Sequence, residues 1–252
     1  MKKPNLVLIH SFPTNSILLK GFIDFLKDYF NVYWIDLPGF IKNIPPLKDI
    51  SLDNYAKYVQ EKIDDLNLEH YWLGGISLGF LVAENVSTDE KCKGMFAVAP
   101  CLNSTDLKIP WHIKMMGNIF INIICLMNVH QRIWESISFK HFLSKIGNPP
   151  KRIETMLNTI NSRTFFETAK LVFKNKNEFQ LQQKPSILMI NKNDKTLRAG
   201  KIMAKFKKDL DKLLIINHTI EHYPKEITKD HFKKNVKEEH MKQIVNFMHK
   251  HN

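Results

Sequence analysis

The sequence predicts an α/β protein: a mostly parallel, doubly wound central sheet of about six strands, flanked by helices, with a helical cap inserted after the fourth strand. Two observations predict this. Short, nearly continuous apolar runs alternate with segments of helical period, and the runs are not polar on every second residue, as a sheet with one wet face would be. From about Leu102 to Gln183 the helical signal continues without a convincing strand, and then the alternation resumes.

Taken in order, "NLVLIH" (5–10) is a short buried strand, and "NSILLKGFIDFLKDYF" (15–30) carries apolar residues at close to helical spacing. "NVYWIDLPGF" is a second strand, stopped by Pro38 and Gly39. Ser51 has the character of an N-cap for a helix through "LDNYAKYVQEKIDDL". "HYWLGG" is a third strand, "LGFLVAENV" a helix and "KGMFAVAPC" a fourth strand. After the insertion, which is punctuated by "NPPKR", come the strand "PSILMI" (185–190), a helix through "GKIMAKFKKDL", the strand "KLLIIN" and a last helix over "EEHMKQIVNFMHKH". The expected division is a core of 1–101 and 184–252, with a cap of 102–183.

A chain of 252 residues, 44% hydrophobic, can bury a substantial α/β core. Its formal charge of +12 invites a nucleic-acid reading, but only four of the 37 basic residues are arginine, the residue that makes forked contacts with phosphate and guanine. The lysines are dispersed and interleaved with acids, which describes a solvated surface able to attract anionic partners rather than a nucleic-acid binder. Cys92, Cys101 and Cys125 are odd in number and match no zinc or redox spacing, which favours a reducing, cytoplasmic setting. The apolar stretch at the N-terminus is too short for a secretory signal. The longest apolar patch, "MGNIFINIICLMNV" (116–129), is too short to span a bilayer and contains three asparagines.

Three of the nine glycines fall within six residues, in "GGISLG" (74–79), directly after a strand and directly before a helix. A sharp strand-to-helix turn strains the backbone of its central residue, and glycines on either side relieve the crowding. Ser77 then stands at a helix N-terminus, where backbone N–H groups favour negative charge. A serine hydroxyl is a poor nucleophile at neutral pH and needs an adjacent base.

With these residues the chain resembles the α/β-hydrolase superfamily over essentially its whole length. "LVLIHSFPTNS" is similar to the loop after the family's first central strand, "IDLPGF" to its Asp-x-Pro-Gly segment, and "GGISLGF" to its nucleophile elbow. The resemblance implies a Ser–acid–His triad in that chain order. It assigns Ser77 as nucleophile and Asp194, in "INKNDKTL", as acid, with Asp106 as the alternative. The base lies in the loop after the last strand, where "NHTIEHYP" offers His218 and His222. His222 is preferred because, with Tyr223 and Pro224, it resembles the family's His-aromatic-Pro sequence, and because the strand runs almost to His218; His231 comes third. The implied oxyanion hole is made by the backbone N–H groups of Phe12 and Leu78. Three positions depart from the family pattern: Ser11, Asn191 and Glu221 stand where glycine is usual.

Trp111, Met115, Ile119 and Phe120 of the insertion are candidates for the substrate pocket. The expected activity is that of a carboxylesterase-like serine hydrolase acting on small, largely apolar, short- to medium-chain acyl or aryl esters, without cofactor or metal. Its expected partner is the small-molecule ester alone, with no nucleic acid, no membrane span and a monomeric or homodimeric state. A hydrolase-like small-molecule receptor or partner-binding protein is the alternative, and fold alone does not separate the two.

Overall fold

The computed structural model describes residues 2–175, 181–222, 224 and 226–252, so Tyr223 and positions 176–180 of the expected cap lie outside the described residues. In chain order the first part runs β1 (Asn5–Ile9), α1 (Lys20–Leu26), β2 (Asn31–Ile35), α2 (Leu52–Leu66), β3 (Tyr71–Ile76), α3 (Leu78–Glu84) and β4 (Cys92–Val98). The insertion comes next as α4 (Trp111–Leu126), α5 (His130–Glu135), α6 (Ile137–Lys145), α7 (Pro150–Thr159) and α8 (Ser162–Lys174). The chain ends with β5 (Ser186–Ile190), α9 (Ala199–Asp209), β6 (Leu213–Asn217), α10 (Lys229–Asn235) and α11 (Glu238–Lys250).

The six strands form one sheet in the order β2-β1-β3-β4-β5-β6, and every pairing is parallel. Each strand is apolar on both sides because each side is covered. In β1, Val7 and Ile9 join the core with α2, α3 and the insertion, while Leu6 and Leu8 join the core with α1, α10 and α11. The chain leaves β1 toward one edge and fills the other half from β3 onward. Such a topological switch opens a crevice at the carboxyl ends of the two central strands, here β1 and β3.

Local chemistry explains the helix boundaries. The Ser51 hydroxyl accepts from the Asn54 N–H at 3.2 Å and caps α2, as its position in the sequence implies. "NPPKR" proves to start a helix: Pro149 is the N-cap and Pro150 the first residue of α7, where a missing N–H costs nothing. Two elements differ from expectation. The first helix begins only at Lys20, because residues 12–19 are tied into turns that shape the loop after β1. The short α10, capped by Thr228 through the His231 N–H at 3.2 Å, is additional. It packs Phe232 against Phe22, with ring centroids 4.9 Å apart.

The insertion has its own aromatic centre. Trp134, Phe139, Phe165 and Phe166 are buried on one another, with Trp134 and Phe165 centroids 4.9 Å apart. Polar contacts join it to the loops after β2 and β1 and to α2: Asn161 N–H to Gly39 O at 2.8 Å, Asn15 Nδ2 to Thr159 Oγ1 at 2.8 Å, and Tyr55 to Thr168 through their hydroxyls at 3.0 Å.

Candidate active site

Ser77 joins β3 to α3 with φ 52° and ψ −113°, a left-handed-side conformation that costs a non-glycine residue on the order of 1–3 kcal/mol. The neighbouring structure holds it there. The Ser77 N–H donates to Val98 O at 2.9 Å, and the Phe80 N–H donates back to Ser77 O at 3.2 Å. A Cβ on Gly75 would lie 2.1 Å from the Gly79 carbonyl carbon, and one on Gly79 would lie 2.4 Å from the carbonyl oxygens of Ile9 and His10. Both glycines are therefore required by close backbone approach, and together they bring the turn against the loop after β1.

That loop is rigidly bonded. The His10 ring donates through Nδ1 to Ser11 O at 2.8 Å and accepts the Leu37 N–H on Nε2 at 2.9 Å. Burial lowers the pKa of His10, so it is a neutral structural group. Ser11, the first departure from the family pattern, is bonded through its hydroxyl to Thr14 at 2.9 Å. Phe12 stands next to it and packs on Phe165 of α8 with centroids 5.0 Å apart.

Asp194 comes after β5 and is buried. Its Oδ1 accepts the N–H groups of Thr196 and Leu197 at 2.7 and 2.9 Å, and its Oδ2 lies 3.5 Å from His222 Nδ1. Burial alone would raise the pKa of this carboxyl. The hydrogen bond and charge of His222, with the two N–H donors, outweigh burial and hold it below the usual carboxylate range. Asp106 is occupied elsewhere: its Oδ2 accepts the N–H groups of Leu102 and Asn103, both at 3.0 Å, and its Oδ1 faces Lys201.

The two histidines of the last loop have different surroundings. The His222 side chain is almost fully enclosed, yet it lines the same cavity as Ser77, Leu78 and Phe12. His218 comes directly after β6, its N–H still bonded to Ile190 O at 3.3 Å, and its Nδ1 accepts the Ile220 N–H at 3.2 Å. Burial pushes the pKa of His218 down to about 4. His231 belongs to α10, on the opposite side of the sheet from this cavity.

The cavity measures about 970 Å³ and is walled mainly by apolar side chains of the insertion. Of the four pocket candidates, Phe120 lines it, together with Ile113 and Met116 of the same helix. Trp111, Met115 and Ile119 do not; they stand exposed on the other face of α4. The reason is helical phase. Positions 113, 116 and 120 share one face, while 111, 115 and 119 fall on the opposite one.

The bonds made by two residues had no signal in the sequence. Asn191, a second departure from the family pattern, donates through Nδ2 to Ile220 O at 3.0 Å, and its Oδ1 accepts the Asn193 N–H at 2.9 Å. It thus ties the loop of Asp194 to the loop of His222. Arg152 of α7 donates to Pro224 O at 3.1 Å, joining the insertion to the same loop. The third departure, Glu221, forms an exposed pair with Lys195 at 3.5 Å.

A six-stranded parallel sheet with a strained serine turn after its third strand defines an α/β-hydrolase fold. Known proteins agree with this. A sequence profile of the alpha/beta hydrolase fold matches residues 4–115. A hydrolase from Oleispira antarctica superposes with a TM-score of 0.69 at 12% identity, over 99% of this chain and 92% of that one. The chain therefore has the α/β-hydrolase fold, and its first 115 residues carry that family's sequence pattern from residue 4 onward. It is similar to a pimeloyl-[acyl-carrier protein] methyl ester esterase of Wigglesworthia glossinidia brevipalpis, 37% identical over 101 residues, which are 38% of this chain and 37% of the relative. A protein of the same name from Pseudoalteromonas atlantica is 37% identical over 86 residues, 33% of this chain and 31% of the relative. These matches span about a third of the curated relatives' length.

Proposed function

We propose that this protein is a serine hydrolase that cleaves carboxylic esters of small, largely apolar, short- to medium-chain acyl or aryl substrates through an acyl-enzyme intermediate. One observation carries the reading: Ser77 and His222 line a single apolar cavity, and His222 Nδ1 lies 3.5 Å from Asp194 Oδ2. The esterase names of the two curated relatives support it.

In this mechanism His222 takes the Ser77 proton as the oxygen attacks the ester carbonyl, then returns a proton to the departing alkoxide. Asp194, kept ionised by its bonding, orients the imidazole and stabilises the imidazolium that forms. The N–H groups of Phe12 and Leu78 receive the oxyanion, one such donor contributing about 3 kcal/mol in the transition state. Water, activated by the same histidine, releases the acid. Residues 102–183 act as the lid over this chemistry, supplying the apolar walls that hold the acyl chain.

Fluorophosphonate labelling of Ser77 together with turnover of p-nitrophenyl esters tests the proposal, and a protein that does neither is not a serine hydrolase. Across an acyl series, turnover per KM should peak at butyrate to octanoate, because the cavity is large but bounded by the insertion. Faster turnover of emulsified long-chain triglycerides would contradict this preference.

The Asn191 bridge yields a separate expectation. Asn191→Ala should lower kcat by roughly 10- to 100-fold while leaving KM within about twofold, since it loosens the geometry between acid and base without touching the cavity. An unchanged kcat would remove the bridge from the mechanism.

A further inference from the structure

The outer surface of the insertion is unusual for a chain so rich in charge. α4 spans 16 residues and buries only Ile121 and Ile124. Trp111 is 74% exposed and Leu126 88%, and Met115, Ile119 and Ile123 are exposed between them. Isolated exposed apolar residues are ordinary, but a continuous apolar helix surface marks an interaction site. The surface continues into the cavity. Met116 and Phe120 of α4, Phe142 of α6 and Ile146 at its C-cap are exposed and line the cavity at once, so they frame its mouth.

Charge selects the partner. From position 107 to 153 the sequence has seven lysines and arginines and one carboxylate, Glu135. Glu135 lies on α5 and accepts a hydrogen bond from Gln131 Nε2, while α4 and α6 carry no acid. Arg132, Lys140 and Lys145 are exposed around the apolar residues. A second copy of the chain would bring the same cationic face and a net charge of +12 against itself, which repulsion opposes. A convex helix that is apolar around most of its circumference, with a tryptophan at one end and cations beside it, fits the boundary between lipid headgroups and acyl chains. No helix among the described residues is long and apolar enough to cross a membrane, so α4 would lie in the surface.

We propose that the α4–α6 face docks on anionic lipid bilayers, placing the cavity mouth against the surface from which apolar substrate partitions. Hydrophobic insertion supplies most of the binding, and lysine and arginine attraction to headgroups directs it to anionic membranes.

The test is co-sedimentation of the full chain with phosphatidylcholine vesicles containing roughly 30% phosphatidylglycerol, against pure phosphatidylcholine. Trp72 and Trp134 are buried and Trp34 is half-buried, so Trp111 dominates the environment-sensitive emission. The protein should bind the anionic vesicles, with a blue shift, and bind pure phosphatidylcholine at least about tenfold more weakly. A triple variant, Trp111→Gln, Ile119→Gln and Leu126→Gln, should lose at least about tenfold in binding. Its circular dichroism and its hydrolysis of a soluble ester should be unchanged, since none of the three side chains lines the cavity. Binding is read by sedimentation, so its failure and the failure of the esterase reading are distinguishable. No binding to anionic vesicles at low salt, or equal binding by the triple variant, would overturn the proposal. A native dimer that the variant dissociates, without vesicle affinity, would assign the face to a second copy instead.

Discussion

Replacing Ser77 with alanine should abolish ester hydrolysis, lowering kcat by roughly 10⁴- to 10⁶-fold, and should leave the fold intact. The two halves of this expectation rest on different atoms. The bonds that hold the turn are made by the Ser77 backbone, to Val98 O and from the Phe80 N–H, and the alanine backbone repeats them. The strained φ of 52° is imposed by β3, α3 and the two flanking glycines, none of which changes. Ser77 lines the cavity, and under the proposed mechanism loss of its hydroxyl removes the nucleophile while the N–H groups of Phe12 and Leu78 still offer an oxyanion site. Residual catalysis over water from binding and the oxyanion hole is therefore expected. The checks are single-turnover kinetics, loss of fluorophosphonate labelling and an unaltered thermal melt. A Ser77→Ala protein with full activity would place the chemistry elsewhere in the molecule.

How far the sequence speaks depends on the range of the interaction. The six strands are legible because each is a short run apolar on both faces, and the elbow is legible because Gly75 and Gly79 answer a backbone contact visible as spacing. Asp194 and His222 are singled out only through the family resemblance: by chain order for both, and for His222 also by the Tyr223-Pro224 that follows it and its distance from the last strand. The inward face of α4 is not legible because that helix is apolar nearly all round. Periodicity there carries no phase and cannot say that Phe120 faces inward while Trp111 and Ile119 face out. Asn191 and Arg152 act across 29 and 72 residues of sequence, and such pairings have no local signature. The short α10 has one buried residue, Phe232, too little for a helical pattern.

The sharpest discrimination concerns the base. His222→Ala should lose roughly 10⁴-fold or more in kcat, whereas His218→Ala should change it by less than about tenfold. The base must reach the serine with one ring nitrogen while the other meets the acid. His222 has Nδ1 3.5 Å from Asp194 Oδ2 and lines the cavity with Ser77. His218 spends Nδ1 on the Ile220 N–H, within the first residues to leave the sheet. The pH dependence separates the two further. With its pKa pushed down to about 4, His218 is neutral throughout the range above pH 5 and contributes no inflection there. Asp194, held below the carboxylate range, is ionised over the same interval. Any inflection of kcat/KM above pH 5 should thus persist in His218→Ala. Stability should respond to His218 itself. Folding lowers its pKa from the ordinary 6.5, so the unfolded chain takes up the proton first as pH falls, and stability is lost from about pH 6.5 toward 4. His218→Ala should remove that part of the acid sensitivity, read as a flatter Tm against pH, while His222→Ala retains it. If His218→Ala were the dead variant and His222→Ala kept most of its turnover, the assignment of this loop would be reversed.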